Sequence, residues 1–190
     1  MTATRTKPAP HPTARIAPGS RRDVGTVNWL IARVAGAAVG SSSPLRLFTT
    51  LGRHRRLFRR WLLFAGALMP RGKLPRADTE LVILRVAHNC GCEYEWRHHE
   101  RIGRRAGLDP ERVRSGPDAA GWSARQVALL RAVDELHERR TLSDEIWHEL
   151  RPHLKDDVEA IELCMLAGHY EMLAGTLNAL RVEPDTLGRR

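Results

Sequence analysis

An all-α fold is predicted for this 190-residue chain by three observations. Its apolar residues recur at the i, i+3, i+4 spacing of a helix face, with no sustained alternation. Ala, Leu and Arg are abundant while aromatic residues are few. Helix punctuation, with Pro, Ser or Asp before apolar runs and Gly after them, returns along the second half. The length suits one domain with a proper core.

Residues 1–22, with Pro8, Pro10, Pro12 and Pro18 among five basic residues, show no apolar periodicity and are expected to form a disordered basic tail. The folded domain is then 23–190. Charge is unevenly spread. Residues 1–77 hold 15 Lys and Arg against the single acid Asp23, a balance of +14, while 78–190 hold 16 against 21 acids, a balance of −5. Over 45–69, Phe48, Leu51, Phe58, Leu62 and Ala65 share one face, and Arg53, Arg56 and Arg60 lie opposite, which predicts an amphipathic helix with a basic back. Its apolar end, Trp61 to Met69, is too short to span a bilayer. The segment matches no nucleic-acid motif, and its arginines can equally pair with the acidic second half of the same chain or of a neighbouring subunit, so a nucleic-acid partner is not expected.

Pro75 with Asp78 and Glu80 marks the start of a helix that Leu81, Leu84, Val86 and Ala87 carry to about Asn89. Gly91 breaks it. The next helix runs from about Cys92 to Gly107, whose glycine follows an Arg-rich last turn. Asp109-Pro110 opens a short helix. Ser123 caps another, to about Arg140, with Val127, Leu130, Val133 and Leu136 inward. Ser143-Asp-Glu-Ile starts one that ends near Leu154. The last helix spans about Asp156 to Leu180, with Ile161, Met165, His169, Met172, Leu173 and Leu177 as inward candidates. Cys164 on it reads as a buried small hydrophobe and His169 as a satisfied core histidine.

Chemistry concentrates in Glu80-x11-Cys92-x2-Glu95-x3-His99. Residues 92, 95 and 99 stand at i, i+3 and i+7 of one helix, so one face presents a thiol, a carboxylate and an imidazole. A thiol attacks only as thiolate, and an adjacent imidazolium or a helix N-terminus lowers its pKa. Carboxylates oppose that effect and are themselves general acids and bases. A zinc set of His88, Cys90, Cys92 and His99 has tighter spacing than common structural sites and is not expected.

The run Pro75-Arg-Ala-Asp-Thr-Glu80-Leu-Val-Ile-Leu-Arg-Val-Ala87, then Cys92-Glu-Tyr-Glu-Trp-Arg-His-His99 and Gly107-Leu108, resembles the signature of the carboxymuconolactone decarboxylase family, which includes the alkyl hydroperoxidase D-like proteins. Gly168-His-Tyr-Glu-Met-Leu-Ala-Gly-Thr-Leu-Asn178 resembles that family's last helix. The resemblance implies an all-α alkyl hydroperoxidase D-like domain that assembles into homo-oligomers and needs no metal or organic cofactor. It also implies that Glu80, Cys92 and His99 match a Glu-x11-Cys-x2-Cys-x3-His relay in which Glu and His pass protons to a cysteine pair. Glu95 stands where the second, peroxide-attacking Cys belongs, so that dithiol cycle does not transfer intact. Cys90 is the available substitute for resolving Cys92, although a Cys-x-Cys ring is small and strained.

Three functions follow. The leading expectation is a thiol peroxidase in which Cys92 attacks a hydroperoxide and Cys90 or an external thiol reductant recycles it. The second is acid–base catalysis on a small carboxylated or lactone substrate by Glu80, Glu95 and His99, with Cys92 only packing. The third is a non-catalytic oligomer. With three cysteines and no apolar leader at the N-terminus, a reducing, cytoplasmic setting is expected.

Overall fold

The computed structural model describes residues 13–188, and among these there is no strand, only an isolated bridge between Ser41 and Leu187. Ten helices follow in order: α1 (Arg21–Val24), α2 (Thr26–Ala38), α3 (Arg46–Leu51), α4 (Arg55–Leu68), α5 (Arg76–Asn89), α6 (Glu93–Arg105), α7 (Pro110–Ser115), α8 (Ala124–Arg139), α9 (Asp144–Leu150) and α10 (Asp157–Leu180), with a 3-10 turn at Arg151–His153 before the last. No described helix is long and apolar enough to cross a membrane.

The core is organised around α5. Residues 78–84, 86 and 87 of this helix are all buried, so it lies inside a sleeve of α6, α8 and α10 with α7 across its end. Leu81, Val82, Ile83 and Leu84 pack against Leu129, Leu130 and Val133 of α8 and Leu163, Leu166 and Leu177 of α10 in one continuous cluster. α6 approaches closely because residue 103 is glycine: a Cβ there would stand 2.8 Å from Leu84 Cδ1. Any larger side chain there would force Leu84 out of its place in the core.

The α5–α6 turn is set by Gly91. It adopts φ +58°, a conformation that favours glycine. Gly91 N–H donates to His88 O at 3.0 Å and Cys92 N–H to Ala87 O at 2.8 Å, the paired bonds of a Schellman closure. Cys92 therefore becomes the N-cap of α6, as the expected helix junction requires.

Three expectations need correction. The amphipathic helix over 45–69 is two helices, because the chain turns at Gly52–His54 and His54 caps α4 through Leu57 N–H. Of the expected tail, residues 1–12 lie outside the described residues, but 13–22 are engaged. Arg15 N–H donates to Leu180 O, Gly19 N–H to Thr49 O, and Arg53 and Arg55 bind the carbonyls of Ala17, Arg22 and Asp23. Part of the basic surplus thus secures the chain's own N-terminal segment. On α10, Ile161, Met165 and Met172 face outward, as does Cys164, because Ala160, Leu163, Ala167, Tyr170, Ala174 and Leu177 occupy the inner face.

Candidate active site

His99 sits between two carboxylates. Its Nδ1 is 2.8 Å from Glu80 Oε2 and its Nε2 is 3.3 Å from Glu95 Oε2. Glu80 comes from α5 and is fully buried, while Glu95 and His99 share one face of α6 a turn apart. A neutral imidazole has one N–H, and only the imidazolium satisfies both partners. Burial alone would lower the His99 pKa, but the two carboxylates outweigh it and raise it to about 9. Arg76, one turn before Glu80, places Nη2 2.9 Å from Glu80 Oε1 and completes a row of alternating charge.

The row ends at a cavity of about 460 Å³. Glu95, His99 and Arg76 line it and Glu80 does not. Glu95 Oε1 is buried with no hydrogen-bond partner. The remaining wall is mostly apolar, formed by Phe48, Trp61 and Met69 from the α3–α4 region and Tyr170 and Leu173 from α10. Phe48, Phe58 and Trp61 pack ring against ring, and Trp61 stacks on His169 with centroids 6.0 Å apart. Tyr170 presents its ring against His99 at 5.3 Å. His169, expected as a satisfied core residue, instead lines the cavity with Nδ1 unpartnered, and burial depresses its pKa.

A second network closes one side. Asp185, in the stretch after α10, accepts from Tyr94 Oη at 2.5 Å, from His98 Nε2 at 3.0 Å and from Arg46 N–H at 2.9 Å. Burial raises the Asp185 pKa, yet these donors more than offset it and hold the carboxyl low. His98 and Tyr94 stack at 4.7 Å. An extended C-terminal segment is thus pinned across α3 and α6 beside the cavity.

The thiols stand apart from this arrangement. Cys92 is buried and does not line the cavity. Burial pushes its pKa up to about 12, the N–H groups of Glu95 and Tyr94 at the start of α6 pull it down, and the Glu95 charge pushes it up again. The helix-terminus effect expected from sequence is present, but desolvation exceeds it. Cys90 faces His137 of α8, with Sγ 3.9 Å from Nδ1. His88 lies against Trp96, so His88, Cys90, Cys92 and His99 do not converge on one point. Arg76 was legible as the i−4 neighbour of Glu80. Tyr170, Trp61 and Asp185 carry no local signal, since each reaches the site across the fold.

The helical sleeve around a buried Glu–His–Glu row defines an all-α protein of the alkyl hydroperoxidase D-like fold. Residues 55–136 match the model of the carboxymuconolactone decarboxylase family. Among solved structures, it is similar to an alkylhydroperoxidase AhpD core, an uncharacterized peroxidase-related protein from Ralstonia eutropha JMP134. The two share 19% identity over 92% of this chain and 94% of that one, with a TM-score of 0.79. An uncharacterized peroxidase-related protein from Silicibacter sp. TM1040 is 16% identical over 96% of each chain, also at TM-score 0.79. The debrominase Bmp8, in complex with 2,3,4-tribromopyrrole, is 15% identical over 90% of this chain and 91% of that one, at TM-score 0.74. At these identities the likeness is one of fold. No curated protein sequence matches the chain.

Proposed function

We propose that this protein is an acid–base enzyme acting on a small, largely apolar ring compound that carries a carboxylate or lactone group, with Glu95 as general base. One observation carries the reading: Glu95 lines the cavity with one oxygen held by His99 and the other buried without a partner. A buried lone pair of this kind loses hydration without gaining a donor, which disfavours the empty site and favours a substrate that brings a proton.

Glu95 Oε1 takes a proton from a carbon beside the substrate carbonyl: the C–H bond breaks, an O–H bond forms on Glu95, and the electron pair moves onto the carbonyl oxygen. His99, charged and backed by Glu80, holds Glu95 in place through Nε2, and Glu95 gives its proton back to carbon as the enolate collapses, which restores the carbonyl and the free carboxylate. Arg76 supplies the positive charge that a substrate carboxylate meets at the wall. Phe48, Trp61, Met69 and Leu173 favour a flat apolar body. That a debrominase of this fold holds 2,3,4-tribromopyrrole supports a small ring as the ligand class.

The thiol peroxidase reading has less support, because Cys92 is buried, off the cavity wall and held as the thiol. The full chain in D₂O, with a panel of small ring lactones and carboxylates, tests both readings by NMR. Deuterium uptake beside the carbonyl is expected, falling roughly 10²- to 10⁴-fold in Glu95→Gln and surviving in Cys92→Ser. No turnover on the panel, together with hydroperoxide consumption that Cys92→Ser abolishes, would overturn the proposal in favour of thiol chemistry.

A further inference from the structure

Away from the cavity, Cys90, His137 and Glu171 bring one sulfur, one nitrogen and one oxygen within 4.8 Å of one another. They come from three helices that pack directly together: Cys90 caps the C-terminus of α5, His137 lies in the last turn of α8, and Glu171 is in the middle of α10. Asn178 of α10 fixes the Cys90 backbone by donating from Nδ2 to its carbonyl at 2.8 Å. Arg140 Nη1 holds the second Glu171 oxygen at 3.0 Å, which aims the first at the cluster.

The geometry is not that of a nucleophile relay. A relay needs a histidine between thiol and acid, using one ring nitrogen for each. Here the same atom, His137 Nδ1, faces both Cys90 Sγ at 3.9 Å and Glu171 Oε1 at 2.5 Å. Three donor atoms directed at one point require a positive centre there, a proton or a metal ion. Of the two, a dication meets all three donor atoms at once, whereas a single proton bridges only two of them.

We propose that Cys90, His137 and Glu171 form a binding site for a divalent transition-metal ion, zinc by the character of its donors. Thiolate, imidazole and carboxylate are the zinc ligand types, and one thiolate with one carboxylate balances the 2+ charge. Tetrahedral zinc places such donors about 3.3 to 3.5 Å apart, so the sulfur closes slightly and Glu171 withdraws by less than about 1 Å. Arg140 then supports the ligating carboxylate from outside. Three protein ligands leave a fourth position for water or an exogenous ligand, and of the three Glu171 also lines a neighbouring cavity of about 480 Å³. The site is independent of Glu95 and of the reaction proposed above.

The full chain, stripped with a chelator, is titrated with Zn²⁺ by calorimetry and with Co²⁺ by absorption. One ion per chain is expected, with a thiolate-to-cobalt charge-transfer band and the intense visible bands of a four-coordinate site. Cys90→Ser should abolish the charge-transfer band, and His137→Gln or Glu171→Gln should weaken binding at least about tenfold. Cys92→Ser and Cys164→Ser should leave it intact. Circular dichroism separates loss of the ligand from loss of the fold, and the His137→Gln protein provides a second folded comparison. Absence of stoichiometric binding by the folded protein, or a band that persists in Cys90→Ser, overturns the assignment.

Discussion

Glu80 and Glu95 grip opposite nitrogens of one buried imidazole, that of His99, and only Glu95 reaches the cavity. The pair is asymmetric. Glu80 is covered on all sides and compensated by Arg76, so it serves to hold His99 charged and oriented. Glu95 Oε1 has no partner, and in the proposed reaction it is the base.

This arrangement links stability to pH. The folded-state pKa of His99 is about 9 against an ordinary value of 6.5. Its stabilisation is therefore fully present below about pH 6.5 and lost as pH rises through about 9. Denaturant midpoints measured from pH 6 to 10 should fall across that window by an amount worth a few kcal/mol. In His99→Gln the fall between about pH 6.5 and 9 should be absent, leaving only the decline above about pH 9 that the raised Cys90 and Cys92 pKa values produce, and a wild-type profile flat from pH 6.5 to 9 would contradict the buried imidazolium.

Cys92 should behave as a protected thiol. With its pKa held near 12 by burial, alkylation by iodoacetamide at pH 8 should be far slower than for a free cysteine and should become fast only on unfolding. Peptide mass spectrometry reads the rate at this residue. Rapid modification of Cys92 in the native protein, or its selective conversion to sulfenate by hydroperoxide, would favour the thiol mechanism.

α10 carries a second expectation. Val158, Ile161, Met165 and Met172 follow helical spacing on its outer face and are exposed, Ile161 by 65%. A stripe of this kind on a helix whose inner face is already filled is suited to a second copy of the chain. Light scattering should give a mass above 21.4 kDa, and Ile161→Glu with Met165→Glu should reduce it to that of the single chain. A wild-type protein that scatters as a monomer at micromolar concentration would refute the assembly.

Much of this architecture follows from the order of residues alone. Gly91 requires the turn that ends α5, and the turn makes Cys92 the cap of α6. The i, i+4 spacing of Glu95 and His99 then determines their contact, because helix geometry is local. The helices α5 to α10 were legible for the same reason, through caps and periodicity. The short α1 and α2 were not, since neither carries a strong apolar stripe against a polar face.

What the tertiary structure decided concerns faces and surroundings. α10 is apolar nearly all round, so periodicity could not distinguish the side that meets the core from the side bearing Met165 and Cys164. The state of Cys92 turned on a balance between a helix terminus, which spacing reveals, and desolvation, which depends on packing from distant segments. Glu95 became a wall residue because Trp61, Tyr170 and Leu173 arrive from α4 and α10 to enclose the space before it. Sequence determined which donors share a helix turn; only the assembled helices decided which of them is shielded and which lines the cavity, because burial is a sum over residues far apart in the chain.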